Sequence, residues 1–218
     1  MEIRRLGVVP YATATEMQRA LVDARRAGHI PDVLLLLQHP HVITLGVKTE
    51  AARSHLIATP EILATRNVEV HESGRGGDIT YHGPGQIVGY PIMDLRPDRC
   101  DVHKYVRDLE EVMIRTSADF GLHAGRIQGL SGAWIGAEKI GAIGVRIARW
   151  ITSHGFAFNV TTDLDFFRLI VPCGIESGGV TSLSRATGRP IPMADAEAAI
   201  VRNFAAVFER NAVEAVPS

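Results

Sequence analysis

Cysteine is scarce in this chain of 218 residues, which contains only Cys100 and Cys173. Two cysteines are too few for a disulfide framework or a cysteine-based zinc site, and two free thiols suit a reducing compartment. Long apolar runs are absent as well, since the longest, residues 33–37, has the length of a strand rather than the ~20 residues of a membrane helix. With no signal-peptide pattern at the start, the sequence predicts a cytoplasmic protein.

An excess of positive charge is also lacking, because the formal net charge is -1. Sequence-independent nucleic-acid binding needs many Lys and Arg side chains on one face, so the composition argues against it. The 46% of hydrophobic and 22% of charged residues are typical of an ordinary folded protein. We therefore expect one domain over residues 1–218, with neither nucleic acid nor membrane as a partner.

The predicted strands outnumber the predicted helices, and several strands are joined by short turns. This pattern predicts an α+β domain with a mixed, largely antiparallel sheet flanked by helices. Thr13 and Glu16 have capping-box spacing before a helix predicted at 15–27. The elements predicted further along the chain are a hairpin of strands 79–82 and 86–90, a long helix after Asp101, and adjacent strands at 133–135, 140–147 and 154–160.

Cys173 stands between Pro172 and Gly174. Proline fixes one backbone dihedral and glycine removes side-chain bulk, so a thiol between them is held firmly and can be approached. Taken alone, however, a lone cysteine is more often a small buried hydrophobic residue than a nucleophile. Cys100 fits that structural interpretation better, because it lacks neighbouring glycines.

A nucleophilic thiol needs a partner that favours the thiolate, and histidine or lysine can serve. The candidates are Lys139 and one of nine histidines. Lys139 is notable because the chain has only three lysines and this one lies at an apolar predicted turn. Lysines at turns are usually solvated surface residues. The residue types alone therefore leave both interpretations open.

Residues 75–86, RGGDITYHGPGQ, are dense in glycine beside Arg75, Tyr81 and His82. Such density indicates a backbone that closely approaches a bound ligand, although the pattern matches neither a Walker loop nor Gly-x-Gly-x-x-Gly. His39 and His41 have no acidic or cysteine partner at metal-binding spacing, and no serine lies in a Gly-x-Ser-x-Gly elbow. The sequence thus predicts neither a metal centre nor a serine hydrolase.

Three longer stretches occur in a fixed order: RGGDITYHGPGQIVGYP, GAWIGAEKIGAIGVRIARWITSHGFAFNV and IVPCGIESGGVTSL. Over most of residues 30–185 the chain resembles the lipoyl(octanoyl) transferases. The resemblance implies the fold of biotin and lipoate protein ligases, with Cys173 as acyl-thioester nucleophile and Lys139 as the residue that lowers its pKa. The substrate-binding residues that it implies are Arg75, Gly76, Gly77, Asp78, Ile79, Thr80, Tyr81, His82, Ala142, Ile143, Gly144, Gly155, Phe156 and Ala157.

The implied reaction moves an octanoyl group from acyl carrier protein, through a thioester on Cys173, to a lysine of a lipoyl domain. The implied acceptors are lipoyl domains of 2-oxoacid dehydrogenase and glycine cleavage proteins. We expect no cofactor, neither ATP nor metal, because the octanoyl-phosphopantetheine arm is itself a substrate. One alternative is an ATP-dependent lipoate or biotin ligase, which would need no cysteine; another is a non-catalytic protein that binds the carrier or the lipoyl domain.

Small residues at Ala142, Gly144, Gly155 and Ala157 predict a channel for an eight-carbon chain. The channel is expected to be lined by Ile143 and Phe156.

Backbone amides near Gly174 or at residues 76–77 are predicted to bind the oxyanion. A basic patch is predicted to dock the acidic carrier, with Arg126, Arg146 or Arg149 as the candidate side chains.

Overall fold

Two sheets of unequal size organise the fold. The computed structural model describes residues 1–47, 49–171 and 179–215. The elements are β1 (Glu2–Val8), α1 (Tyr11–Arg26), β2 (Val33–Gln38), β3 (Val42–Leu45), α2 (Thr49–Ser54), α3 (Pro60–Thr65), β4 (Glu69–Glu72), β5 (Ile79–His82), β6 (Gln86–Ile92), α4 (Val102–Asp119), β7 (Gly125–Ile127), β8 (Leu130–Ile135), β9 (Glu138–Ala148), β10 (Ile151–Asn159), a 3-10 helix (Leu164–Leu169), α5 (Leu183–Thr187), α6 (Met193–Phe208) and β11 (Val213–Glu214).

The large sheet has the strand order β11-β1-β2-β6-β10-β9-β8-β7. Only the pairs that involve β1 are parallel; the pairs from β2 to β7 are antiparallel. The small sheet has the order β4-β3-β5, in which β3 pairs parallel with β4 and antiparallel with β5. The prediction of a mixed, largely antiparallel sheet in a single α+β domain is confirmed.

Alternation along the strands gives the large sheet two buried faces. Phe156 and Phe158 of β10 point to the face covered by α4 and α6, where they join a cluster that includes Tyr105 and Phe204. Ala157, between them, points to the opposite face with the residues that pack on α1. Side chains of a strand alternate between faces, so the small residues of β10 are collected on the α1 face.

The predicted hairpin of residues 79–90 is wrong. β5 pairs with β3 in the small sheet, whereas β6 lies between β2 and β10 in the large sheet. Gly85 has a φ of 82°, in the left-handed region that glycine adopts readily. The tight turn at residues 83–85 therefore carries the chain from one sheet to the other. A turn sequence predicts that the chain reverses direction, but it does not predict which strands pair.

The predicted start of the first helix is also wrong. α1 begins at Tyr11 and follows Pro10, which makes no side-chain capping bond. Thr13 and Glu16 lie inside the helix, so their capping-box spacing does not mark its start. The long helix does begin after Asp101, whose side chain accepts a hydrogen bond from the Lys104 amide. The predicted adjacency of the strands now labelled β8, β9 and β10 is confirmed.

None of the helices in the described part of the chain combines the length and the apolar character that crossing a bilayer requires.

Candidate active site

A cavity of about 320 Å³ lies between the large sheet and the segment that leads into β5. Residues 75, 77–80 and 82 form one wall, and we call the whole segment 75–82 the roof. The opposite wall, the floor, consists of lining residues of β6, β9 and β10: Val88, Tyr90, Ala142, Gly144, Gly155 and Ala157. This volume is at the small end of ligand pockets.

The floor is built by strand register. Ala142 faces Ala157 across the β9–β10 pair, and Gly144 faces Gly155. Residues that oppose each other in an antiparallel pair share a face of the sheet. The four smallest floor residues therefore form one continuous shallow strip along the cavity.

Lys139 lines the cavity at the beginning of β9. Its Nζ lies 4.6 Å from the centre of the Trp134 ring, within the range of a cation–π contact. Its main chain is bonded to the segment near residue 180, because the Lys139 amide donates to Gly179 O (3.0 Å) and the Thr181 amide donates to Lys139 O (3.0 Å).

Cys173, the predicted nucleophile, lies in residues 172–178, outside the described residues. The described chain before this stretch ends at Val171, whose amide donates to His55 O (2.7 Å). The described chain after it resumes at Gly179, which is bonded to Lys139. Val180, one residue further, lines the cavity.

Arg75 holds the roof together. Its guanidinium donates to Thr44 O (2.7 Å), Asp78 O (2.8 Å) and Gly76 O (3.1 Å), and also to the Thr44 hydroxyl. The side chain is only 7% exposed, and burial lowers the pKa of the guanidinium. Because the N–H groups of Arg75 donate mainly to backbone oxygens, the side chain fixes the conformation of the loop. Few of its N–H groups are available to a ligand.

Gly144 and Gly155 play a different role from the predicted one. A Cβ on Gly144 would lie 2.8 Å from Arg75 Cδ, and a Cβ on Gly155 would lie 2.1 Å from Gly89 O. Real Cβ atoms do not approach other atoms so closely. These glycines therefore admit Arg75 and the neighbouring strand, whereas Ala142 and Ala157 are the floor positions whose side chains fit within the wall.

Three buried histidines stand around the cavity. Burial is the main cause that lowers the pKa of His82 to about 3 and that of His39 and His154 to about 4. Neighbouring arginines act in the same direction on His82 and His154. All three imidazoles are consequently neutral at pH 7.

A chain of buried amides links the roof to the segment beside Lys139. His82 Nδ1 is 2.7 Å from Gln86 Oε1, Gln86 Nε2 donates to Asn159 Oδ1 (2.9 Å), and Asn159 Nδ2 donates to Thr181 O (3.0 Å). Such a satisfied network holds its members in one arrangement. It ties the position of residue 181 to the position of His82.

The structure brings most of the predicted binding residues to the cavity. Of the fourteen, Gly76 and Tyr81 are not among its lining residues. The Gly76 amide donates to Val145 O (2.9 Å), so it is already engaged and does not serve the predicted oxyanion role. Tyr81 is fully buried, and its hydroxyl lies 2.8 Å from His41 Nδ1.

Sequence reasoning missed several lining residues. These are Tyr11, Gln86, Val88, Tyr90, Gly129, Leu130, Ser131, Gly141, His154, Asn159, Phe167 and Val180. Gln86, Val88 and Tyr90 lie within the first resembling stretch, and Gly141, His154 and Asn159 within the second, so those stretches carried a signal. Tyr11 had none, because the helix was predicted to start later.

One prediction about a sulfur-containing residue is corrected, because Cys100 is exposed rather than buried. Arg126 is paired with Glu110 (2.9 Å) and Glu111 (2.8 Å). The same two carboxylates also pair with Arg107 and Arg115, so three arginines share two carboxylates. Arg126, Arg146 and Arg149 are all exposed, as a docking role requires.

Across residues 1–47, 49–171 and 179–215, no three His, Cys, Asp or Glu side chains come together as a metal site.

The sequence matches the family described as the lipoyl protein ligase A/B catalytic domain over residues 10–205. An octanoyltransferase from Myxococcus xanthus is 49% identical over 221 residues, which covers 99% of this chain but only 61% of that protein. The chain therefore spans less than two thirds of that relative. An octanoyltransferase from Rubrobacter xylanophilus is 53% identical over 210 residues, covering 95% of this chain and 94% of that protein.

Solved structures share the fold at low identity. A lipoate-protein ligase A bound with ATP has a TM-score of 0.77 at 17% identity, with 100% of this chain and 90% of that chain covered. A biotin protein ligase from Aquifex aeolicus has a TM-score of 0.56 at 9% identity, with coverages of 95% and 70%. The predicted biotin and lipoate ligase fold is confirmed. The chain belongs to the lipoyl protein ligase A/B catalytic domain family and, like the octanoyltransferases to which it is about half identical, is an acyltransferase.

Proposed function

We propose that this chain transfers an octanoyl group from octanoyl-acyl carrier protein, through a thioester on Cys173, to a lysine of a lipoyl domain. The observation that carries the proposal is the position of Lys139. It stands at a cavity with a floor of small residues, and its main chain is bonded to the segment that follows Cys173. The names of the relatives support octanoyl as the group transferred.

In the first half-reaction, the Cys173 thiolate attacks the carbonyl carbon of the octanoyl thioester on the carrier. The bond from that carbon to the carrier's sulfur breaks, and the carrier's thiol leaves with a proton taken from the Lys139 ammonium, so Lys139 is neutral when the second half-reaction begins. One thioester replaces another, so the exchange has little energetic cost. The Lys139 ammonium favours the thiolate, because a nearby cation lowers the pKa of a thiol.

In the second half-reaction, the neutral amine of the acceptor lysine attacks the enzyme thioester. The carbon–sulfur bond to Cys173 breaks as the amide forms, and the amine's proton passes to Lys139, which acts as general base. Amide formation from a thioester is downhill, so the reaction requires no ATP. The amides of Gly77 and Gly174 remain candidates for the oxyanion donors.

The donor partner is an acyl carrier protein, and the acceptors are the lipoyl domains of 2-oxoacid dehydrogenase and glycine cleavage proteins. Carrier proteins are acidic, so a basic surface near the cavity would speed their encounter. Arg126, Arg146 and Arg149 are exposed arginines that support such a surface. A donor rate that does not fall as salt is raised would contradict this docking surface.

Intact-mass measurement tests the covalent step. The chain is incubated with octanoyl-acyl carrier protein in the absence of ATP, and one octanoyl adduct is expected on the parent and none on Cys173→Ala. Cys100→Ala is the matched control, and it should retain the adduct because the exposed Cys100 lies outside the cavity. Absence of the adduct on the parent would falsify the covalent mechanism.

The same assay separates the ligase alternative. An ATP-dependent ligase would modify a lipoyl domain from free octanoate only when ATP is added, and it would do so in the Cys173→Ala variant. A non-catalytic binding protein would modify no lipoyl domain under either condition. Transfer from the carrier without ATP, lost in Cys173→Ala, is the expected result.

A further inference from the structure

Asp78 is the only acidic residue among the described residues that line the cavity. Asp78, Thr80 and His82 all line it, and they lie at alternate positions of the roof. Because alternate residues of an extended chain point to the same face, the Asp78 side chain lies on the cavity side of the roof. The described lining residues thus include a single carboxylate, beside the basic side chains of Arg75 and Lys139.

The two carboxylate oxygens of Asp78 have different surroundings. Oδ2 lies 2.6 Å from His55 Nδ1, and the imidazole donates this hydrogen bond because a carboxylate only accepts. Oδ1 has no hydrogen-bond partner, although the residue is only 6% exposed. A buried polar atom without a partner lowers stability, so such atoms are rare in folded proteins. An N–H donor of a ligand in the cavity would supply the missing hydrogen bond.

His55 connects this carboxylate to the start of the segment that contains Cys173. The His55 carbonyl accepts a hydrogen bond from the Val171 amide (2.7 Å). Val171 is the last described residue before Cys173, which follows it by two positions. One residue, His55, therefore holds both the chain that leads to the proposed nucleophile and the side chain of Asp78.

Lys139 has the corresponding place at the other end of that segment. Its main chain is bonded to Gly179 and Thr181, which follow residues 172–178. The chain that carries the proposed nucleophile is thus bonded beside a carboxylate where it enters the segment and beside a lysine where it leaves. The proposed mechanism uses Lys139 and leaves Asp78 without a role.

The acceptor is the reactant that brings positive charge into the cavity. The octanoyl thioester is uncharged, whereas a lysine side chain in water is an ammonium at pH 7, with three N–H donors and no acceptor. Hydrogen bonds between an ammonium and a carboxylate are roughly twice as strong as those between neutral groups. The chemistry of the acceptor lysine therefore matches the oxygen of Asp78 that lacks a partner.

We propose that Asp78 binds the ε-ammonium of the acceptor lysine through Oδ1, and that His55 is the positioning residue that holds the carboxylate. This inference rests on the proposed function, because it takes a lysine of a lipoyl domain as the acceptor. The bound ammonium loses one proton to solvent, and the neutral amine then attacks the thioester as described above. Asp78 contributes to binding of the acceptor and not to formation of the thioester, because the octanoyl group brings no positive charge.

Exchange of Asp78 for asparagine tests the acceptor site, because Asp78→Asn keeps the shape of the side chain and removes its negative charge. Transfer from octanoyl-acyl carrier protein is measured at increasing concentrations of a lipoyl domain. The KM for the domain should rise about tenfold, since a hydrogen bond between charged groups contributes about that much to binding; kcat should change little. Asp165→Asn is the matched control and should keep the parent's KM, because it removes the same charge from an exposed aspartate outside the cavity.

A neutral nucleophile distinguishes recognition of the ammonium from a general effect on the thioester. Hydroxylamine is largely uncharged at neutral pH and cleaves thioesters. It should release the octanoyl group from the Asp78→Asn adduct at the parent's rate, whereas transfer to a dilute lipoyl domain should be slowed about tenfold. Equal slowing of both reactions would overturn the proposal, because the carboxylate would then act on the thioester itself. A folded Asp78→Asn variant with the parent's KM would overturn it as well.

Binding without catalysis separates this inference from the proposed function. Calorimetric titration compares a lipoyl domain that has its acceptor lysine with one in which that lysine is exchanged for methionine. The exchange should weaken binding about tenfold in the parent and not in Asp78→Asn. Equal weakening in both would refute the Asp78 site whether or not transfer occurs, whereas a parent that forms no octanoyl adduct would refute the proposed function. If Asp78→Asn fails to fold, Asp78→Ser removes the same charge and takes its place in every measurement.

Discussion

The floor and the roof of the cavity both bring backbone close to the ligand space, but they are stabilised in different ways. The floor approaches the ligand space by having small or absent side chains on two adjacent strands, Ala142 and Gly144 opposite Ala157 and Gly155. The roof approaches it with a buried cation, Arg75, and a buried imidazole, His82. The floor therefore depends on steric fit, whereas the roof depends on hydrogen bonds and on charge state.

This difference predicts that acid unfolds the protein through the histidines around the roof. His39, His82 and His154 have pKa values of about 4, 3 and 4 in the folded chain, below the ordinary value of 6.5. Below pH 6.5 the unfolded chain binds protons that the folded chain does not, so stability falls with pH down to the folded pKa values. Each histidine lowers the free energy of unfolding by up to about 1.4 kcal/mol for each pH unit of acidification, so the three together lower it by about 4 kcal/mol per pH unit.

Urea unfolding between pH 7 and pH 5 measures this slope. His39→Gln should flatten it by about a third, because one neutral imidazole is removed. His103→Gln, at an exposed position of α4, is the control and should leave the slope unchanged. A stability that does not change across this range would mean that the three imidazoles are not held neutral.

Loss of the Arg75 guanidinium should be the next largest effect. Arg75→Met removes the donors to three backbone oxygens, at Thr44, Gly76 and Asp78, and leaves them buried without their partner. We expect a loss of about 3 kcal/mol in the free energy of unfolding. Arg53→Met is the control, since Arg53 pairs with Glu72 on the surface, where such pairs contribute about 0–1 kcal/mol.

If Arg75→Met were as stable as Arg53→Met, the roof would not depend on its hydrogen bonds and the contrast with the floor would fail. Chemical denaturation of both variants at pH 7 gives the comparison directly.

The pairing of the strands β8, β9 and β10 was predictable from the sequence, whereas the separation of the roof strand β5 from β6 was not. Alternation and short turns predicted β8, β9 and β10 as neighbours, because local periodicity and antiparallel pairing both leave a local pattern. The turn at residues 83–85 has the same local pattern whether its flanking strands pair or separate. That choice depends on the burial of β6 between β2 and β10, which is a contact between distant parts of the chain.

The structural role of individual glycines was also not predicted correctly. A glycine in the sequence shows only that a side chain is missing, and Gly144 was interpreted as room for a ligand. Its Cβ position is instead taken by Arg75, a residue 69 positions earlier in the chain. Tyr11 was missed for a related reason, since its place in the cavity follows from the packing of α1 on the sheet and not from its neighbours.

The steric dependence of the floor predicts that one added methyl group is harmful at Gly155. A Cβ there would lie 2.1 Å from Gly89 O and 2.6 Å from Pro91 Cδ on the neighbouring strand, so β6 and β10 would have to separate. We expect Gly155→Ala to cost about 2 kcal/mol of unfolding free energy. Gly125→Ala, on edge strand β7 with no atom within 4 Å of the new Cβ, should change stability by less than about 0.5 kcal/mol.

Equal melting temperatures for the two variants would show that the floor accommodates an added methyl group as easily as an edge strand does.

The smallest effect on stability, and the most selective effect on activity, is expected at Ala142. Its side chain lies on the cavity face of β9, so Ala142→Val narrows the channel without meeting a neighbouring strand. The variant should lose less than about 1 kcal/mol of stability. Its ratio of hexanoyl to octanoyl transfer should rise several-fold, since a buried methylene contributes about a factor of four.

Ala148→Val is the matched control, because Ala148 is a half-buried alanine on the same strand that lies outside the cavity. It should keep the parent's preference among hexanoyl-, octanoyl- and decanoyl-acyl carrier protein. If Ala142→Val also kept that preference while remaining folded, the acyl chain would not lie on the floor. The small side chains of β9 would then serve the approach of the roof alone.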